Sequence, residues 1–565
     1  MFSNACIAIS CLVLRLVTLA ASEILYFDFN ITWVLSNPDG RFPRPTIGVN
    51  NQWPPPQLEA NVGDTIVVNV LNLLGNQSTS LHFHGISMRG TTHMDGPSQV
   101  TQCPILPGQT FQYMFQVTDP GTYWYHSHDR AQYPDGLRGL LVVHDPISPY
   151  KDQYHEEIVL SISDWYHEQM PDLLARYLDK NNTMAVEPIP DSNLLNDTHD
   201  IRLDLVPGKI YLVRVANIGA FMGQYFRIAD HELVIIEVDG VYTKPTSAQV
   251  LYLSTGQRYS FLMTAKNHST TPYGIFVTMD STLIMDDEKL GSDITVTGWI
   301  VYNSTVSIEK NIEDPIAVQP PNFFDDISLM PWDEEMLLDP PNRIITLDMG
   351  MHQGEDGAWF WDFNNISYNI PKVPTLYTAL VAGQDALDDT IYGASTNTFV
   401  LHSNETVQLI INNQMMSRHP VHLHGHQFQV IYRSEDWAGP FVASKKIEEN
   451  YPKSPMRRDT AVVNPGGSLV LRFKADNPGV WIFHCHMEWH AHSGLVATFV
   501  EAPLELQDIL SIPTLPSNHL KTCNGTINST LAGDALPIDD NRSDSKPSKY
   551  ECRNTALSSD NQESY

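Results

Sequence analysis

Trp481-Ile482-Phe483-His484-Cys485-His486-Met487-Glu488-Trp489-His490 is the stretch that decides how this chain is read. Its first half is β-branched and aromatic, which predicts a strand, and successive side chains of a strand face opposite ways. His484 and His486 therefore share one face and Cys485 takes the other. A thiolate with two imidazoles is the trigonal His₂Cys set of a blue-copper electron-transfer site, and His490 and His419 are placed to complete it. Upstream, Pro120–His128 matches Pro478–His486 without a gap, with Ser127 where the later copy has Cys485. Leu81-His82-Phe83-His84-Gly85 matches Val421-His422-Leu423-His424-Gly425 in the same order. The pairs His82/His84, His126/His128, His422/His424 and His484/His486 thus bring eight imidazoles to two related pieces, enough for a metal cluster where those pieces meet. The segment between them has no His-x-His and is read as shaping a cleft or spacing the other two.

Length and composition set the frame around these segments. At roughly 150 residues per domain, 565 residues suggest three or four domains, and 42% hydrophobic residues supply their cores. Short strand-like runs such as Thr65–Val70, Phe111–Val117, Ile210–Val215 and Ser468–Phe473 recur between Gly, Pro and Asn without long amphipathic helices, the pattern of all-β sandwiches or barrels. Pro/Asp-rich passages near 144–156 and 309–341 divide them into three. A net charge of −31 excludes nucleic acid as a main partner, and six Cys are too few for a disulfide scaffold of this size. Residues 1–22 read as a signal peptide ending in Ala20-Ala21-Ser22, and many Asn-x-Ser/Thr acceptors, among them Asn30, Asn76, Asn196, Asn303 and Asn404, agree with a secreted glycoprotein of the extracellular space or cell wall. No later stretch is apolar enough for a membrane anchor, and the polar tail is expected to be disordered.

His82-Phe-His84-Gly, Trp124-Tyr-His126-Ser-His128, His419-Pro-Val-His422-Leu-His424-Gly and His484-Cys485-His486-Met-Glu-Trp-His490 resemble, in order and form, the four copper-binding segments of three-domain multicopper oxidases, the laccase, ascorbate oxidase and ferroxidase superfamily. The resemblance implies three consecutive cupredoxin-like Greek-key β-sandwich domains, at 23–147, 148–308 and 342–505, with a linker at 309–341 and an extension at 506–565. It also implies four coppers. The type 1 ion takes His419, Cys485 and His490, and type 2 takes His82 and His422. The type 3 pair takes His84, His126 and His486 on one ion and His128, His424 and His484 on the other. Leu495 stands where some members have an axial Met, and Asp95 and Glu488 are similar to the family's proton-relay acids. Cys103 resembles the Cys that bridges the first domain to the segment after the last copper motif, here Cys523. Cys6 and Cys11 leave with the signal, and Cys552 is unpaired in the tail. His93, His231, His352, His402 and His492 fit no ligand segment and are read as ordinary histidines. A monomer using O₂ is expected.

The electron donor is read from the rim. Glu187-Pro-Ile-Pro, Asn364-Asn365-Ile366, Tyr392-Gly393 and Met456-Arg457-Arg458-Asp459-Thr460 are similar to fungal iron-transport ferroxidases. Those enzymes hold Fe(II) with carboxylates beside the type 1 histidines, because hard oxygen ligands favour the ferric state. Glu187 matches one of three such acids, whereas Met415 and Met285 replace the others. That replacement favours a laccase-type oxidase of small aromatic donors, with Glu187 taking a phenol proton and the radicals coupling in pigment or secondary-metabolite synthesis. Fe(II) is the alternative donor. A non-catalytic copper binder or electron carrier would need only the Cys485 site, and the eight paired imidazoles speak against it.

Overall fold

The computed structural model describes residues 22–267, 271–284, 294–302 and 323–528. The signal segment, Cys6, Cys11, Cys552, Met285, Asn303, much of the expected linker and the polar tail lie outside the described residues. The strands form six sheets that fall into three successive pairs. In the first pair, Arg44–Val49, Ile24–Ser36, Thr65–Asn72 and Thr110–Gln116 lie side by side in one sheet, and Leu58–Asn61, Arg138–His144, Gly121–His126 and His82–His84 in the other. Each pair opens on the same parallel pairing, Ile24 opposite Thr65, Glu156 opposite Tyr211 and Arg343 opposite Val407. The expected all-β, cupredoxin-like architecture is therefore present in triplicate.

Side-chain alternation separates outer from inner strands. Thr110–Gln116 buries Phe111, Tyr113 and Phe115 and exposes the residues between them, as a strand with one wet face must. Gly479–Cys485 is buried at every position, because one face packs on its own core and the other meets a neighbouring domain. The internal repeat holds in register: His82 pairs with His126 in the first domain, and His422 pairs with His484 in the third. The chain end then returns to the first domain. The helix Ser517–Asn528 carries Cys523, which is disulfide-bonded to Cys103, and buried His519, whose Nε2 donates to the His93 carbonyl at 2.7 Å.

Candidate metal centres

Cys485 ends its strand, His419 begins the neighbouring strand His419–Leu423, and His490 lies on the short helix Glu488–His492. The three converge on one another. His419 Nδ1 and His490 Nδ1 are 3.2 Å apart, and Cys485 Sγ is 3.7 Å from the first and 3.5 Å from the second. Without a metal these atoms satisfy one another poorly, since two ring nitrogens and a sulfur compete for few protons. Burial pushes the Cys485 thiol above its ordinary range and the His419 ring below its own, so a soft cation is what this donor set fits. Leu495 is fully buried beside it, accepting from the Cys485 N–H at 3.1 Å and donating its own N–H to the His490 carbonyl at 2.9 Å.

The cluster lies on the other face of the Cys485 strand, as alternation requires. Three all-histidine groups each gather ligand atoms within 4.8 Å: His84/His126/His486, His128/His424/His484 and His82/His84/His422. The outer nitrogen of most rings is occupied: His82 Nδ1 donates to the Asp95 carbonyl (2.8 Å), His126 Nδ1 to Ser127 (3.0 Å), His422 Nδ1 to Asp459 (2.8 Å) and His484 Nδ1 to Cys485 (2.8 Å). The inner nitrogens of His82, His126 and His422, all Nε2, are buried without a protein partner. Each such orphan costs about 1–3 kcal/mol, and desolvation holds His84, His126, His128, His422, His424 and His486 well below the usual imidazole range. Neutral imidazoles aimed at a common void fit metal ions.

The two acids singled out from sequence are both at this cluster. Asp95 is fully buried and its Oδ2 accepts from His424 Nδ1 at 2.8 Å. Glu488 lines a cavity of about 100 Å³ shared with His126, His128, His484 and His486, and burial pushes its carboxyl up to about 8. His492, read as ordinary, lines the same cavity. His231 and His352 have non-metal partners, Tyr302 and Asp362, and His93 packs against His519. Sequence reasoning gave no role to Asp459 or to Arg258, which holds it through two hydrogen bonds of 2.7 and 2.6 Å.

At the outer edge of the mononuclear site, His490 Nε2 donates to Glu187 Oε1 at 3.0 Å. Met415 is half-buried and lines a groove of about 550 Å³ together with Asp348, Asp362, Asn364, Asn365 and Gln414. Met184, Met351 and Trp359 line the same groove, so Met415 stands among apolar side chains as well as carboxylate and amide oxygens.

Comparison with known proteins bears on the donor. Multicopper oxidase family matches cover residues 30–148, 156–305 and 368–505. The iron transport multicopper oxidase FET3 of Gibberella zeae is 50% identical over 515 residues, spanning 91% of this chain and 81% of that protein. The crystal structure of Fet3p, described as a multicopper oxidase that functions in iron import, superposes with a TM-score of 0.85 at 40% identity, covering 92% of this chain and 98% of that one. The laccase of Botrytis aclada gives a TM-score of 0.79 at 28% identity, over 90% of this chain and 93% of that one. The phenol-oxidase reading is corrected by this contrast: identity is 50% and 40% to the iron-transport oxidases and 28% to the laccase, and the carboxylate of Glu187 on His490 is the rim feature that agrees with it.

Proposed function

The chain belongs to the multicopper oxidase family, oxidoreductases that use O₂, and from that premise we propose that its electron donor is Fe(II). The observation that carries this reading is the hydrogen bond between Glu187 and His490. A carboxylate is a hard ligand that stabilises Fe(III) over Fe(II), so an iron held by Glu187 is both bound and made easier to oxidise. From Glu187 the electron has a hydrogen-bonded path of 3.0 Å into the His490 ring, one of the three mononuclear ligands. His419, Cys485 and His490 would hold the copper that takes up single electrons, and His82, His84, His126, His128, His422, His424, His484 and His486 would hold the coppers whose chemistry is four-electron reduction of O₂ to water. His484 and His486 flank Cys485 in sequence, so the backbone links the two centres directly.

Residues around the cluster manage protons. Reducing O₂ to water consumes four electrons and four protons, and the Glu488 carboxyl, pushed up to about 8 by burial, stands in the cavity that reaches four of the eight imidazoles. Asp95 holds the Nδ1 proton of His424 and so aims that ring's Nε2 inward. Leu495 acts as a non-coordinating neighbour that keeps the site potential high. One chain supplies every ligand, which suits a monomer. We also read the protein as exported, a reading supported by the Cys103–Cys523 disulfide and the glycosylation acceptors. Among the described residues no helix is long and apolar enough to cross a membrane.

The test is the ratio of kcat/KM for Fe(II) to that for a panel of phenols and naphthols, with copper content measured first. Fe(II) is expected to exceed every phenol. A phenol oxidised more efficiently than Fe(II) would overturn the assignment.

A further inference from the structure

The middle domain contributes no imidazole to the cluster, yet one of its turns presses on the cluster from outside. Between the strands Leu251–Leu253 and Arg258–Thr264, Thr255 Oγ1 donates to the His486 carbonyl at 3.0 Å and Gln257 Nε2 donates to the Thr460 carbonyl at 3.0 Å. Gly256 has φ +86°, and a Cβ there would lie 2.9 Å from His84 Cε1 and 3.0 Å from His486 Cδ2. Only glycine allows the backbone this close to two ligand rings.

Arg258 ties the three domains together. Fully buried, it donates from Nε to the Thr122 carbonyl of the first domain at 2.8 Å and from Nη1 and Nη2 to both carboxylate oxygens of Asp459 in the third. Asp459 in turn addresses two imidazoles from different domains. Its carbonyl accepts from His422 Nδ1 at 2.8 Å, and its Oδ1 lies 3.3 Å from His84 Nε2. Thr460 Oγ1 sits between the same two rings, 3.3 Å from His84 Nε2 and 3.1 Å from His422 Nδ1. Asp95 mirrors this arrangement, with its carbonyl on His82 of its own domain and its carboxylate on His424 of the other. The difference is the guanidinium: Asp459 is clamped by a bidentate arginine, the geometry that best fixes a carboxylate in place.

We propose that the Thr255–Arg258 turn, acting through Asp459, is a positioning element of the copper cluster. It holds the outer nitrogens of His84 and His422 and thereby presents His84 Nδ1 and His422 Nε2 inward. The domain without ligands thus sets the geometry of two ligands supplied by its neighbours. Outer partners of this kind change metal affinity or activity by roughly 10- to 100-fold when removed.

The experiment uses the full-length, copper-loaded enzyme and the variants Arg258→Met, Arg258→Lys and Asp459→Asn. Four quantities are read: copper per chain, the type 2 EPR hyperfine splitting, the rate at which Fe(II) bleaches the blue band, and kcat. In Arg258→Met the type 2 signal is expected to shift and weaken and kcat to fall about ten-fold or more, with the bleaching rate within about two-fold of the parent. Arg258→Lys, which keeps the charge without the fork, should recover part of the type 2 signal. Should Arg258→Met fail to accumulate folded, Asp459→Asn carries the test, because it keeps the shape and an acceptor for His84 while weakening the clamp. An unaltered type 2 signal with parental kcat in the folded variant would overturn the proposal, as would equal losses at the blue site and the cluster. The type 2 signal does not depend on which donor is used, so a failure here is distinguishable from a failure of the Fe(II) assignment.

Discussion

In the third domain Cys485 looks onto His419 and His490, and at the same place in the first domain Ser127 looks onto Gln132, which it shares with Thr79. The equivalence extends to the backbone: Cys485 N–H donates to Leu495 at 3.1 Å, and Ser127 N–H donates to Leu137 at 3.0 Å. Gln132 follows Ser127 by the same step as His490 follows Cys485, and Thr79 precedes His82 as His419 precedes His422. Gln132 Oε1 accepts from Thr79 Oγ1 at 2.7 Å and from Ser127 Oγ at 2.8 Å, while its Nε2 donates to the Ser78 carbonyl at 2.8 Å. This trio satisfies itself, whereas the His₂Cys trio leaves donors that only a cation completes. One backbone therefore hosts either an electron-accepting site or a closed hydrogen-bond knot, and three side chains decide which. The opposite face of both strands is held constant and carries the shared cluster.

The most severe way to probe that comparison is to exchange the sulfur. Cys485→Ser is expected to remove the blue charge-transfer band and reduce turnover to background with most cluster copper retained. Ser127→Ala should leave colour and turnover unchanged and cost only about 0.5–1.5 kcal/mol of stability for a lost hydrogen bond. Persistence of the blue band in Cys485→Ser, seen by optical absorption, would break the comparison. Next in size, His128→Ala or His424→Ala should abolish O₂ consumption while the blue band remains and is still bleached once by donor. Oxygen-electrode rates at the parental level would show that the two faces are not functionally separate.

Smaller effects sharpen the picture away from the copper ligands. Met415→Asp, four residues before His419 in the groove that also holds Asp348 and Asp362, should raise kcat/KM for Fe(II) about ten-fold if the new carboxylate makes one charge-assisted contact of about 1.5–3 kcal/mol. The mildest change concerns a hold of the linker segment on the third domain. Asp326 is buried, which raises its pKa, but Arg433 and Arg458 outweigh burial and keep the carboxyl at about 2. A depressed acid contributes stability above its unfolded value and loses it as pH falls through the folded one, so this contact should weaken between about pH 4 and pH 2 by about 2 kcal/mol. Melting temperatures of the parent and Asp326→Asn measured across that window should converge toward the acid end.

Much of this was legible in the chain itself. Period-two alternation places Cys485 opposite His484 and His486, and the same alternation in a gap-free repeat gives the cluster its two-domain origin; the register of His82 with His126 and of His422 with His484 bears this out. Resemblance, rather than spacing, supplied Asp95, Glu488 and the Cys103–Cys523 pairing. The donor was misread because Met415 was weighed alone, whereas the likeness to the iron-transport oxidases runs over about nine-tenths of the chain. Arg258 and Gly256 carried no local signal, since their importance arises only where three domains meet.

The division between a donor-facing site and an oxygen-facing cluster is tested most directly by following the blue band of Glu187→Ala in single turnover. Mixed with Fe(II) under anaerobic conditions, the variant should bleach about ten-fold or more slowly than the parent, the equivalent of one lost charge-assisted contact. Reduced fully and then mixed with O₂, it should reoxidise at the parental rate. Bleaching by Fe(II) at the parental rate, or reoxidation slowed to the same degree, would contradict the account.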